Sequence, residues 1–343
     1  MLELLLRKEI QEKGPISQSR FMELALQHPQ YGYYQTQEAV GQDFITSPEI
    51  SQVFGELIGA WAIDYYIKLN QPKNLSLVEL GPGKGTLMAD FLRMSQVSKS
   101  FSEALNIYLV EINPLLKAKQ VKTITSPVKW VERLEDIPLS LDPLIIIANE
   151  FCDVFPTNCY LRKDNTLYER RVEIKEGKLA FTSVALHESR GPDKIWEESP
   201  GVEMLMQEIC ARLLKQRGIF ICIDYGYEKG GGESLQALFK GEISEPLSYV
   251  GESDLTCHVD FGRLKEIALS QGLGVAGSLP QGQFLKNIGI DLRIEMLKYE
   301  NPAQKATLEA ASTRLTHSQQ MGSLFKVMAV FSPPTLIPAG FKS

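Results

Sequence analysis

The spacing of apolar and polar positions predicts helices first and strands afterwards. Met1 to Glu12 sets leucines on one helical face and ends at Gly14-Pro15. Ser17 opens a second helix over Ser19 to Gln27, stopped by Pro29, and an aromatic loop runs from His28 to Tyr34. Thr46 and Glu49 have capping-box spacing with Pro48 between them, predicting a helix to about Leu69. Short apolar runs rich in β-branched residues then predict strands at 75–80, 105–111, 127–131, 143–149 and 218–224. Alternating with helices, they point to a parallel sheet covered on both faces. Residues 154–185 alternate instead, as in Leu167 to Ile174 before Glu176-Gly177, and predict inserted antiparallel hairpins. Gly230-Gly231-Gly232 predicts a mobile loop. A helix at about 260–271, a strand at 273–278, a helix at 291–315 and a strand from Phe325 to Phe331 complete the pattern. No internal repeat or low-complexity segment interrupts it.

The expected organisation is an N-terminal helical segment at 1–70 and an α/β core built from 71–153, 202–227 and 260–331. The insertions 154–201 and 228–259 would form a second, acceptor-side subdomain.

A chain of 343 residues can bury one large core or two smaller ones. The net charge of −6 argues against nucleic acid as a partner and leaves a cationic protein substrate electrostatically welcome. Five scattered cysteines without a C-x-x-C pair suggest a reducing compartment, and four histidines without ligand spacing suggest no metal. Met1 to Ile10 carries two glutamates among leucines, unlike a signal or transit peptide, so cytoplasm is the expected compartment. No apolar run reaches the ~20 residues that span a membrane.

The most informative turn is Glu79-Leu80-Gly81-Pro82-Gly83-Lys84-Gly85-Thr86, an apolar strand breaking into alternate glycines ahead of a helix. A dinucleotide fingerprint is G-x-G-x-x-G and a P-loop is G-x-x-x-x-G-K-[ST]; this E-x-G-x-G-x-G fits neither. It resembles the first motif of class I S-adenosylmethionine (SAM) methyltransferases. Close backbone approach needs the glycines, and Glu79 can face the cationic amino group of SAM. Glu111, ending the next apolar run, is the expected ribose acid. The 32 residues between the two acids are a long gap, with the excess expected in the polar stretch Ser95 to Ser102.

The fourth strand runs into Asn149-Glu150-Phe151-Cys152-Asp153, and should lie beside the glycine-loop strand. Its end would aim Asn149, Glu150 and Asp153 at the transferred methyl. Alternatively, Asn149 caps a following helix and the acids favour its N-terminus. Two acids without a nearby histidine or lysine suit a guanidinium acceptor better than a hydroxyl. Asp224 and Tyr225, ending the fifth strand, are candidate substrate contacts or a plain strand end turning at Gly226.

Several segments together resemble the MidA family: GQDFITSPEIS (41–51), FGEL (54–57), VELGPGKGT (78–86), NEFCDVFP (149–156), Asp224-Tyr225-Gly226 and QFLKNIGI (283–290). The resemblance runs from about His28 to Phe331. It implies a class I SAM-methyltransferase fold with a seven-stranded, mostly parallel Rossmann-like sheet, SAM as cofactor, and protein arginine methylation. The family's mitochondrial members are complex I assembly factors. Carried onto this chain, Gly81, Pro82, Gly83, Gly85 and Thr86 would form the SAM loop, with Glu79 and Glu111 as SAM acids. Thr46, Ser47, Pro48 and Glu49 would cover the donor, and Glu150 and Asp153 would face the acceptor. The family's usual NEFFDALP and TADVDF read NEFCDVFP and TCHVDF here, so Cys152 and His258 would reshape the acceptor side. The lack of a transit-like segment suggests a bacterial member.

The expected partner is therefore a protein substrate, with a respiratory complex I subunit as candidate and a homodimer as a candidate assembly. Competing readings are a SAM-binding assembly chaperone without turnover and a small-molecule methyltransferase. A dehydrogenase fits worst, because the glycine spacing is wrong.

Overall fold

The structure is a computed structural model describing residues 1–36 and 46–341. The GQDFI part of the family-like segment at 41–45 lies outside the described residues. The chain divides into two compact units.

The larger unit comprises 45–151, 206–226 and 263–343. Its sheet is built from β1 (Leu75–Leu80), β2 (Leu105–Val110), β3 (Lys129–Val131), β4 (Leu144–Asn149), β5 (Gly218–Tyr227), β6 (Gly274–Pro280) and β7 (Phe325–Ser332). The strand path is β3-β2-β1-β4-β5-β7-β6, with β7 antiparallel to both its neighbours and the pairs from β3 to β5 parallel. Every residue of β1 and β4 is buried, which is why these runs read as continuously apolar. Val78 of β1 lies opposite Ile146 of β4, so the expected adjacency of these two strands is present. The chain leaves β1 to build β2 and β3 on one side, then returns to build β4 on the other. That reversal makes the C-terminal ends of β1 and β4 the switch point, where open α/β sheets take ligands.

One face is covered by the helix Gln52–Lys68, whose Phe54, Ile58, Trp61 and Tyr65 recur at helical spacing and are buried. They pack in one cluster with Leu77, Ile145, Ile221 and Phe331 of the sheet.

Three sequence expectations change here. The helix from Thr46 to Leu69 is two helices, Ser47–Ile50 and Gln52–Lys68, broken at Ser51 (φ −161°, ψ 138°). Ser51 Oγ accepts the Val53 N–H at 3.3 Å and caps the second. The capping box does not form, because the Glu49 side chain is engaged elsewhere. The helix at 291–315 is Ile290–Glu300 and Lys305–Thr316, interrupted at Asn301-Pro302, where proline cannot continue an α-helix. The excess between Glu79 and Glu111 is a short helix, Lys99–Ala104.

The second unit comprises 1–44, 152–205 and 227–262. The expected hairpins are present as Asn158–Lys163, Thr166–Lys175 and Lys178–Glu188, with Lys194–Glu198 beside the first. Glu176 and Gly177 both have positive φ (51° and 75°), as a two-residue hairpin turn of right-handed twist requires. The unit also takes in 1–44, where the sequence grouping placed 1–70 in one segment. Ile16 pairs with Val172, and Leu6, Ile10 and Phe21 share a core with Val172 and Leu255. Such long-range pairing leaves no local pattern to read. Among the described residues, no helix is long and apolar enough to cross a membrane.

Candidate active site

The glycine turn leaves β1 with Gly81, Gly83 and Gly85 all at positive φ (61°, 53° and 83°) and enters the helix Thr86–Ser95. A Cβ on Gly81 would stand 2.5 Å from Phe151 Cδ2, so the turn is closed to any side chain there. The Gly81 N–H donates to the Val110 carbonyl at 3.0 Å, and the Gly85 N–H to that of Pro82 at 2.8 Å. The first bond fixes the loop against the end of β2, and the second closes the turn on itself.

Glu79 is buried, its Oε2 accepts no hydrogen bond, and its pKa is pushed up to about 8 by burial first and by the neighbouring charge of Glu111 second. An enclosed carboxylate oxygen without a donor suits a cationic ligand. Glu111 is buried too, but satisfied. Its Oε1 accepts the Asn113 N–H at 2.8 Å and its Oε2 the Gln120 amide at 3.1 Å. Burial raises its pKa, and these donors work against the rise.

The Glu79 titration has a visible consequence. Between about pH 4.5 and 8 the folded chain holds a proton that the unfolded chain has released. Stability from this group is complete below the unfolded value and is lost as pH rises through the folded one. Thermal denaturation of the ligand-free protein should therefore show a Tm falling across this window, and Glu79→Gln should flatten the fall. Glu150 acts with the same sign and remains in the variant, so part of the slope persists.

The segment before the first long helix is strapped to this loop. Glu49 Oε2 pairs with Lys84 Nζ at 3.1 Å, and its Oε1 accepts the Thr86 hydroxyl. Ser47 is fully buried, donating its N–H to Glu150 Oε1 at 2.8 Å and its hydroxyl to Gln281 Oε1 at 3.3 Å. Pro48 is buried beside it, and Thr46 precedes them in extended backbone.

Glu150 follows β4 at a positive φ of 52°, a conformation that costs a non-glycine residue about 1–3 kcal/mol. Asp224, fully buried at the end of neighbouring β5, holds the turn. Its Oδ2 accepts the Phe151 N–H at 3.2 Å, and its Oδ1 accepts its neighbour's N–H, that of Tyr225, at 2.9 Å. The Glu150 N–H donates to the Ile223 carbonyl at 2.9 Å. Glu150 Oε1 accepts both the Ser47 N–H and Asn149 Nδ2 (3.1 Å). Protein packed around the carboxyl pushes its pKa up to about 7; the Asp224 charge adds to the rise, and the Ser47 N–H opposes it. Asn149 Oδ1 is buried and makes no hydrogen bond. No helix follows Asn149, since the chain turns and reaches its next strand at Asn158, so the capping alternative for Asn149 falls away.

The larger unit thus brings together Glu79, the glycine loop, Glu111, Ser47, Glu49, Asn149 and Glu150 from four separate stretches of sequence. Asp224 shares the site as a backbone anchor, and Tyr225 packs on Phe325 with ring centroids 4.0 Å apart and the planes tilted by 36°. Asp153 and His258 belong to the other unit. There the Asp153 carbonyl accepts the Cys257 N–H at 2.8 Å, and the His258 N–H donates to Ser234 Oγ at 2.8 Å. Burial lowers the His258 pKa. Sequence reasoning missed Phe151, Lys84, Gln281 and Gln120. Of these Lys84, inside the glycine motif, and Phe151, inside NEFCDVFP, carried a local signal.

The donor-side residues fit SAM. The orphaned Glu79 oxygen offers a counter-charge, the glycine loop excludes side chains, and the Glu111 carboxylate is held ready for a diol.

Comparison with known proteins bears on this fit. Residues 57–279 match a family described as "Putative S-adenosyl-L-methionine-dependent methyltransferase". The chain is 33% identical to a zebrafish (Danio rerio) protein named protein arginine methyltransferase NDUFAF7, mitochondrial, covering 96% of this chain and 87% of that one. The human protein of the same name is 29% identical, covering 96% and 83%. A Burkholderia thailandensis crystal structure bound to S-adenosyl-homocysteine (SAH) superposes with a TM-score of 0.82 at 23% identity, covering 100% of this chain and 92% of that one. That likeness establishes the fold.

Proposed function

The chain belongs to the MidA-type family of SAM-dependent methyltransferases, and on that premise we propose that its methyl acceptor is an arginine of a protein. SAM supplies an electrophilic methyl on a sulfonium, and the acceptor must be held in line with it. The observation that carries the reading is Glu150. Its carboxylate is anchored through one oxygen by Ser47 and Asn149, at the switch point where β4 meets β1. A carboxylate held this way accepts guanidinium N–H groups, orients the plane of the cation and favours its approach. A cation beside Glu150 also draws its pKa down from about 7, keeping the carboxylate charged at neutral pH. Asn149 and Asp224 position this group, and Asp153, Tyr225 and His258 enter as acceptor-side residues on their motif positions alone. The relatives named as protein arginine methyltransferases support the acceptor class.

For the protein acceptor we propose a respiratory-complex subunit, following the family resemblance. A reducing compartment accords with five cysteines that are buried and form no disulfide. The test is transfer of labelled methyl from SAM into whole-cell protein, followed by acid hydrolysis. Label in methylarginine is the expected result. Label in another amino acid or in a small molecule would overturn the acceptor, and binding of SAM with no transfer would favour the chaperone.

A further inference from the structure

Gln120 lies on the helix Pro114–Thr123 and is fully buried. The orientation of its amide is forced. The Trp130 indole can only donate, so it meets Gln120 Oε1, at 2.8 Å. Nε2 then carries two hydrogens for two acceptors, the Gly83 carbonyl at 2.7 Å and Glu111 Oε2 at 3.1 Å. The same side chain runs beneath Gly85, where an added Cβ would stand 3.3 Å from Gln120 Cγ. One buried amide therefore ties together the middle of the glycine loop, the acid ending β2 and the indole of β3.

We infer that Gln120 is a positioning residue for the nucleoside half of SAM, holding the Glu111 carboxylate and the glycine loop in one fixed relation. The inference rests on Glu111 as the ribose acid. With Asn113 on one oxygen and Gln120 on the other, the carboxylate cannot turn, and its remaining lone pairs are preset for the ribose hydroxyls. Removing the amide leaves Glu111 Oε2 and the Gly83 carbonyl without this donor and lets the carboxylate rotate. Gln120 touches no reacting atom, so its loss should change recognition of the ribose, not the chemistry of transfer.

The test is calorimetric titration of SAH and its 2′-deoxy and 3′-deoxy forms into wild type, Gln120→Leu, Trp130→Phe and Glu111→Ala. In wild type, deleting a hydroxyl that faces Glu111 should weaken binding by about tenfold. Gln120→Leu should weaken SAH by about tenfold and shrink that discrimination to below about threefold. Trp130→Phe removes the donor that orients the amide and keeps the Gln120, Glu111 and Gly83 groups themselves. It should give a smaller loss of the same kind, and it decides the matter if Gln120→Leu does not fold. Unchanged SAH affinity in the variants overturns the inference, as does weaker binding with discrimination intact, the signature of a merely structural role. Full discrimination in Glu111→Ala would instead remove the ribose assignment, and the inference with it. Failure at Gln120 while Glu111→Ala loses discrimination refutes the positioning role alone.

Discussion

Gly81→Val is expected to abolish SAM binding. At a φ of 61° a β-branched residue is strained by about 1–3 kcal/mol before any contact is considered. Its Cβ would also stand 2.5 Å from the Phe151 ring, so the loop, the ring or both must move. The Gly81 N–H that holds the loop to the end of β2 would move with it. Since the loop's use is its closeness to the ligand, displacement on this scale should lower SAH affinity by about a hundredfold or more, each tenfold being about 1.4 kcal/mol. Calorimetry reads the affinity and circular dichroism confirms the fold. An affinity within threefold of wild type would remove the glycine loop from the donor site.

Glu150→Gln should do the opposite, sparing the donor and stopping transfer. Glutamine keeps the shape, and its oxygen can still accept the Ser47 and Asn149 donors. What it loses is the negative charge that would hold a guanidinium. Transfer should fall by about 10²–10⁴-fold, the range typical of a positioned acid–base group. SAH affinity should stay within threefold, because the donor contacts lie at β1 and β2. A loss of SAH binding equal to the loss of transfer would place Glu150 on the donor side. Full transfer would leave the acceptor to other residues.

Much of this was legible in the sequence because parallel strands buried on both faces write themselves as apolar runs. β1 falls at 75–80 as the pattern predicts, and β2 and β4 differ from it by one residue. Glu79, the three glycines and Glu111 were readable because backbone turns and strand ends fix their spacing. Glu150 was readable as an acid at a strand end, but its left-handed backbone and its bond to Ser47 were not, since both depend on Asp224 and on a segment a hundred residues earlier. Asp224 read equally as a substrate contact or a plain strand end, and its bonds to the Phe151 and Tyr225 N–H groups are visible only in the three-dimensional register. Glu49 shows the same limit: capping-box spacing was present, yet Lys84 and Thr86 compete for its carboxylate and win. Pro302, by contrast, was visible in the sequence and breaks the helix predicted across it, as proline chemistry requires.

The central claim is that SAM sits at the C-terminal ends of β1 and β2, and photo-cross-linking tests it most directly. Purified protein is irradiated with radiolabelled SAM, digested, and the labelled peptides sequenced, with excess SAH as competitor. The expected label is displaced by SAH and confined to peptides from Leu75 to Trp130, the Thr46–Ser51 segment and the end of β4 at Asn149 to Phe151. Displaceable label concentrated in 154–201 or 228–259 would contradict it.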